Sequence, residues 1–201
     1  MDRTIPTETS VPTGLGALAP VPLPQACRLL NHGPTVLVAA EHAGRRNVMA
    51  AAWNMPLDFD PPKVAVVLDK ATFTRRLIEA NGGRFVLAVP CRAQVALVSA
   101  VGTTSGADVD KDAAAPGLAW LEDAPAGAPM PRGCVAWLAC VRLPEPAIER
   151  GYDLFVAQVE RAWSDPRAFS DGRWHFDGGE ALRTLHHVAG GNYLVAGDWA
   201  R

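Results

Sequence analysis

The chain has 201 residues, enough for one sizeable core and an ordinary length for a single domain. Hydrophobic residues make up 49% and charged residues 20%, the balance of a globular chain rather than a disordered one. A formal net charge of −2 leaves no electrostatic footprint for nucleic acid, and no apolar run reaches the ~20 residues that span a bilayer.

In chain order, residues 1–20 are rich in Pro, Thr and Gly and read as a tail ahead of a domain over 21–201. The tail lacks the basic patch and apolar stretch of a secretory signal, which predicts a cytoplasmic protein. Pro20, Pro22 and Pro24 favour extended backbone. Thr35 to His42 is apolar and β-branched, a buried strand. A turn at Ala43 to Arg46 leads into a second strand from Asn47 through Trp53, and Asp60-Pro61-Pro62 marks a further turn. Lys63 to Asp69 is near-continuously apolar and reads as a strand buried on both faces. From Thr72 the period becomes helical, with Phe73, Leu77, Ile78 and Ala80 inward and Arg75, Arg76 and Glu79 facing water. Asn81-Gly82-Gly83 stops that helix. Arg84 to Pro90 is a strand, and Arg92 to Val101 a short helix with Val95, Leu97, Val98 and Val101 inward. Gly102 to Lys111 is polar, and Pro116 to Gly133 is a loop. Cys134 to Leu143 and Asp153 to Ala162 are long strands, with Cys134, Ala136, Leu138 and Cys140 expected on one face. Several strands with few helices point to a closed antiparallel barrel.

Two stretches carry chemistry. Ala50, Ala51 and Ala52 leave backbone open to close approach by a flat ring, although the same residues suit plain barrel packing and Trp53 suits a core. Lys70, Thr72 and Thr74 gather a cation and hydroxyls at a helix start, where unpartnered N–H groups and the dipole favour an anion; threonine is also an ordinary cap there. Cys134 and Cys140 lie ~20 Å apart along a strand, too far for a disulfide. The adjacent His186 and His187 point to opposite faces of a strand and do not share one metal ion. No Ser/His/Asp or Cys/His arrangement suggests a nucleophile, and no catalytic acid or base is assigned.

The succession NVMAAAWN, DPPKVAVVLDK, T-x-x-L-I and G-x-F-V-L-A-V-P resembles the flavin reductase-like, FMN-binding split-barrel family, flavoredoxin among its members. The likeness continues through TTSGADVDK, GCVAWLACVRLPEP, YDLFVAQVERAWSDPRAF and ALRTLHHVAGGNYLVAG, from about Pro22 to Gly197. It implies an all-β to α+β fold, a six-stranded antiparallel split β-barrel with a few flanking helices. It also implies a homodimer with FMN near the subunit interface. Hydride from NADH or NADPH would enter FMN and pass to a flavin or other small-molecule acceptor; a partner oxygenase is not identified. Carried onto this chain, the resemblance places Asn47, Met49, Ala50, Ala51, Ala52, Trp53 and Asn54 against the flavin. Asp69, Lys70, Thr72 and Thr74 fall at its phosphate, Ser105 and Lys111 on a bordering loop, and His187 nearby. Relatives often carry a basic residue just before the position of Thr74; Phe73 stands there, leaving Lys70, Arg75 or Arg76 to supply the charge. Two alternatives share the barrel: an FMN-holding electron carrier without efficient NAD(P)H oxidation, and an FMN-dependent oxidase resembling the pyridoxamine phosphate oxidase group.

Overall fold

The computed structural model describes residues 18–177 and 179–200. Strand β1 (Ala19–Pro20) leads into a 3-10 helix over Leu23–Leu29, with Pro24 in its first turn, where a missing N–H costs nothing. Strands β2 (Val36–His42) and β3 (Arg45–Ala51) form a hairpin closed by Ala43 and Gly44. Both turn residues have positive φ, 50° and 75°, the backbone that matches a two-residue turn to the twist of its strands. Then come β4 (Asn54–Phe59), β5 (Pro62–Val67), helix α1 (Phe73–Ala80), β6 (Arg84–Val89), α2 (Val95–Thr103) and α3 (Lys111–Ala114). They are followed by β7 (Ala136–Leu143), α4 (Pro146–Tyr152), β8 (Leu154–Ser164) and two short pairs, β9 (Phe169–Ser170) with β10 (Arg173–Trp174) and β11 (Leu185–Ala189) with β12 (Asn192–Val195).

The main sheet runs β3-β2-β6-β7-β8-β5-β4, every neighbour antiparallel, with β1 added to β8. β3 and β4 stand at its opposite edges, yet only Ala52 and Trp53 separate them in the chain. Three Cα steps reach at most ~11 Å, so the sheet has to curl until its two edges come together. Among the described residues no ladder joins those edges, and the barrel is therefore split.

Alternation along the strands feeds two cores. Val36, Val38 and Ala40 of β2, Phe85 and Leu87 of β6, Leu138 and Phe155 pack inside the barrel with Leu29, Leu77 and Ile78. The intervening Leu37 and Ala39, with Val48, Val86 and Trp137, pack outside beneath Leu97, Val98 and Val101 of α2. Strands buried on both faces explain the unbroken apolar runs. Among the described residues no helix is long and apolar enough to cross a membrane.

The antiparallel barrel with flanking helices is the expected fold, with several local corrections. A seventh strand in the order, β4, lies where a turn-rich stretch was expected. Pro56 is tolerated because β4 is an edge strand, with a register shift between Pro56 and Asp58. Ala19 and Pro20 pair with Ser164 and Trp163, so the domain begins before residue 21; residues 1–17 of the proposed tail lie outside the described residues. Arg75 is buried rather than facing water, and Val95 is exposed rather than inward. Cys134 packs in the outer core while Ala136, Leu138 and Cys140 face the inner one, because regular pairing begins only at Ala136.

Candidate functional site

As an edge strand, β3 presents one row of backbone N–H and C=O groups that no strand pairs. Two cavities lie along it. The first, about 540 Å3, is lined by Met49, Ala50, Ala51, Ala52 and Trp53, facing Ser99, Gly102 and Thr103 of α2. His187 and Tyr193 of the β11–β12 hairpin form another wall, and Asp69 and Asp153 stand at the rim. Both sides of this slot are poor in side chains: a Cβ built on Gly102 would come within 3.3 Å of the Ala50 Cβ. The hairpin is held in place by the residue that leads into β2, since Thr35 N–H donates to Leu185 O and His187 N–H donates to Thr35 Oγ1, both at 2.8 Å.

The second cavity, about 510 Å3, lies at the other end of β3, between Arg45, Arg46 and Asn47, Phe73 of α1 and the 106–112 segment. Asn47 is almost wholly buried, and its Nδ2 donates to Thr74 Oγ1 at 2.8 Å. Gly106 packs onto the same amide so closely that a Cβ there would overlap Asn47 Oδ1. Lys111 is buried as well. Its Nζ donates to Val48 O at 2.7 Å and to Val101 O at 2.9 Å, one an outward carbonyl of the edge strand and the other a carbonyl of the last turn of α2. Those carbonyls lack ladder and helix partners, so one ammonium satisfies both and meets the negative end of the helix dipole. No carboxylate pairs with it among the described residues, and burial pulls its pKa from the ordinary lysine value down to about 8.

The expected site residues therefore divide. Met49, Ala50, Ala51, Ala52, Trp53, Asp69 and His187 meet at the first cavity, and Asn47 and Lys111 at the second. Asn54 lines neither. It turns the corner into β4, donating to Pro34 O at 2.9 Å. Ser105 also lies back from both cavities, where its Oγ accepts from Ala107 N–H and shapes the turn. The Lys70, Thr72 and Thr74 trio does not converge. Lys70 is tied to Asp153 Oδ1 at 2.9 Å and to Arg150 O, holding the Asp153 carboxyl below the usual range. Thr72 Oγ1 donates to Asp69 O rather than capping α1, and Thr74 is fully buried under Asn47. Arg75 is spent too, on Leu68 O, Asp153 and Glu79.

His186 and His187 do face opposite ways. His186 Nδ1 meets Gly33 O and its ring lies near His32, while His187 stacks edge-on to Tyr193 in the cavity wall. His32 is buried, and that burial, with His186 adding to it, lowers its pKa to about 4. Arg45, Gly102 and Tyr193 were not singled out as site residues; the Arg45-Arg46 doublet opening β3 was the one local signal available.

Comparison with known proteins agrees with this architecture. Residues 28–182 match the family model described as flavin reductase like domain. The uncharacterized protein YddH of Escherichia coli (strain K12) is 44% identical over 181 residues, covering 89% of this chain and 94% of that protein. Among solved structures, an FMN-binding domain of a flavin reductases-like enzyme from Shewanella baltica OS155 superposes with a TM-score of 0.87 at 48% identity, covering 92% of this chain and 96% of that one. Flavoredoxin from Methanosarcina acetivorans superposes with a TM-score of 0.67 at 25% identity, covering 84% and 87%. The curled antiparallel sheet, the two cavities along its free edge and these matches together make the chain a member of the flavin reductase-like domain family.

Proposed function

We propose that the protein is an FMN-binding oxidoreductase that takes electrons from NADH or NADPH and delivers them to a flavin or another small-molecule acceptor. The observation that carries this reading is the side-chain-poor slot of about 540 Å3 between Ala50–Ala52 and Gly102, with a second cavity along the same strand where Arg45, Arg46 and Lys111 stand among Glu41, Asp108, Asp110 and Asp112. Its volume suits a bound cofactor. Bound FMN supplies the redox chemistry, accepting a hydride from the nicotinamide and releasing electrons onward. The chain's part is binding and orientation. Free backbone groups of β3 would face the polar edge of the ring, the three alanines would let it come close, and His187 with Tyr193 would wall it off from water. The second cavity would receive the phosphate, beside a helix start that no side chain caps.

The open rim of the slot supports a dimer. Trp53, Met55, Leu57 and Phe59 are all exposed, and the last three alternate along one face of edge strand β4. An apolar stripe of this kind on an edge strand suits a second copy of the chain. The expected assembly is a homodimer in the cytoplasm.

The test is a visible spectrum of the purified protein with FMN, followed by anaerobic addition of NADH and then NADPH. FMN bound at micromolar affinity or better, bleached by one of the two reductants, is the expected result. Bound FMN that neither reductant bleaches would leave an electron carrier, and no flavin binding would end the reading.

A further inference from the structure

The β11–β12 hairpin that walls the slot is pinned at its base and lightly held beyond it. Thr184 pairs with Cys91 in an isolated bridge and its O accepts from Ala196 N–H, while Arg183 O accepts from Arg92 N–H. Farther out, His187 through Asn192 and Leu194 are exposed. Hydrogen bonds tie this outer part to the body through Thr35, which donates to Leu185 O and accepts from His187 N–H, and through His186, whose Nδ1–H donates to Gly33 O at 3.0 Å.

The His186 bond starts a chain whose protons are fixed by what each atom can do. A carbonyl only accepts, so neutral His186 carries its proton on Nδ1 and leaves Nε2 as an acceptor. Thr184 Oγ1, 3.4 Å away, donates to that Nε2 and accepts in turn from His32 Nε2–H at 3.0 Å. His32 Nδ1 is left bare, and it is buried with no partner among the described residues. The His32 ring packs against Trp174 and Phe176, with centroids 4.7 and 5.6 Å away, and lies 5.5 Å from the ring of His186. Charged and titratable groups on the surrounding elements have other partners. Arg28 donates to Gly172 O, Arg183 to Phe176 O and Asp198, and His175 shares a hydrogen bond with Ser170 Oγ, while Arg173 and Asp177 are exposed.

We propose that His32, Thr184 and His186 form a proton-ordered latch that positions the hairpin wall of the slot and releases it on acidification. The inference deepens the reading of the slot as the flavin site and rests on it for what the latch guards. A proton added to His32 has to sit on the buried Nδ1, where it becomes a charged donor with nothing to receive it. A proton added to His186 acts the same way. Its Nε2 would become a donor, Thr184 would turn its O–H toward His32, and His32 would carry its own proton on Nδ1. With the hairpin seated, burial and then His186 hold the His32 pKa down at about 4. Release carries His186 away and lets water reach the ring, which regains its ordinary value of 6.5. The released form thus binds a proton that the seated form refuses. Seating is favoured above about pH 6.5, and its advantage is lost as pH falls from there toward 4.

Amide hydrogen exchange reads the latch directly, because Thr35 N–H and His187 N–H bridge hairpin and body. Protection is measured at pH 7 and pH 5 in the parent protein, His32→Phe and Thr184→Val. Thermal unfolding is the folding check, and the amides of β6 and β7 are the reference for whole-domain opening. In the parent, protection of Thr35 and His187 is expected to lie below that of β6 and β7 and to fall by about tenfold from pH 7 to pH 5, the span set by proton binding between 4 and 6.5. In His32→Phe, which keeps an aromatic ring that does not titrate, the fall is expected to vanish. Thr184→Val keeps both imidazoles and removes the hydroxyl between them, and it is expected to lower the protection already at pH 7. FMN added to saturation at pH 5 is expected to restore protection in the parent. Equal falls in the parent and His32→Phe, unchanged protection in Thr184→Val, or protection of Thr35 and His187 equal to that of β6 and β7 would each overturn the latch and leave the FMN reading standing. FMN that binds without restoring protection overturns the coupling of the latch to the slot. Absence of FMN binding, with the pH-dependent fall intact, ends the FMN reading and leaves the latch as a property of the hairpin.

Discussion

The two cavities share β3 but are built from opposite materials. Around Ala50 to Ala52 the strand carries almost no side chain, and what faces it is glycine, serine and threonine on α2. Four to six residues earlier the same strand carries Arg45, Arg46 and the buried Asn47, and what faces it is charged. At the first end shape selects: a thin slot admits a flat ligand and rejects a thick one. At the second end charge and hydrogen bonding select, and the groups are held by one another until a ligand arrives. Function in this fold depends on keeping the two ends distinct along one free sheet edge.

The largest expected effect comes from filling the slot. Ala51 and Ala52 both line the cavity, but Ala52 is exposed in it, whereas Ala51 is buried and packs into the barrel core. Ala52→Leu is expected to weaken flavin binding by about ten- to a hundredfold, the equivalent of ~1–3 kcal/mol of steric conflict moved onto the ligand. Its stability should stay within about 0.5 kcal/mol of the parent, since the new atoms enter open space. Ala51→Leu should reverse the pattern, costing ~1–3 kcal/mol of stability through overpacking with a smaller loss of flavin. Flavin titration and thermal unfolding on both variants check this; equal losses of binding in the two would mean that the slot is not the ring site.

The second break is at the charged end and spares the slot. Gly106→Ala would drive a methyl into Asn47 Oδ1, and a buried amide cannot move without giving up its bond to Thr74. The expected cost is ~1–3 kcal/mol of stability, the usual consequence of stranding a buried polar group. Asn47→Ala in the same background should recover part of that cost by removing the clash. A Gly106→Ala variant as stable as the parent would show that the 106–112 segment yields freely and does not define the second cavity.

The difference between the ends also explains what could be read from the residues in order. Strands β2, β5 and β6 and the turn of α1 into Gly82-Gly83 were legible, because apolar runs and glycine stops are local signals. The slot was legible for the same reason, since three consecutive alanines need no partner to be noticed. The charged end was not. Whether a cation is engaged depends on residues far along the chain: Lys70 and Arg75 are both claimed by Asp153, which sits at the end of α4. Arg75 follows the rule for a water-facing position by residue type, yet its guanidinium is buried against the Phe155 ring. Thr74 was expected to offer its hydroxyl to an anion at the helix start and is instead covered by Asn47, 27 positions earlier. β4 was hidden by its proline and by an alternation whose apolar side faces outward.

The smallest expected effect is a pH dependence that tests how dry the charged end is. Lys111 has a folded pKa of about 8, below its ordinary value, so the folded protein gives up this proton at a pH where the unfolded chain still holds it. Stability from this group is therefore lowest below pH 8 and rises with pH between about 8 and the ordinary lysine value of ~10.4. In Lys111→Met that rise is absent, while the stranded Val48 and Val101 carbonyls cost the same at every pH. The parent should accordingly gain on the variant across that window, by an amount on the order of 1 kcal/mol because nearby water screens part of the shift. FMN binding should show the opposite sign in the same range. A phosphate favours the charged ammonium, so affinity should fall as pH rises through 8, and the fall should be weaker for riboflavin. Unfolding midpoints and flavin titrations at pH 7 and pH 9.5 measure both. Parallel stability curves for parent and variant would mean that Lys111 keeps its ordinary pKa and that water reaches this end of β3.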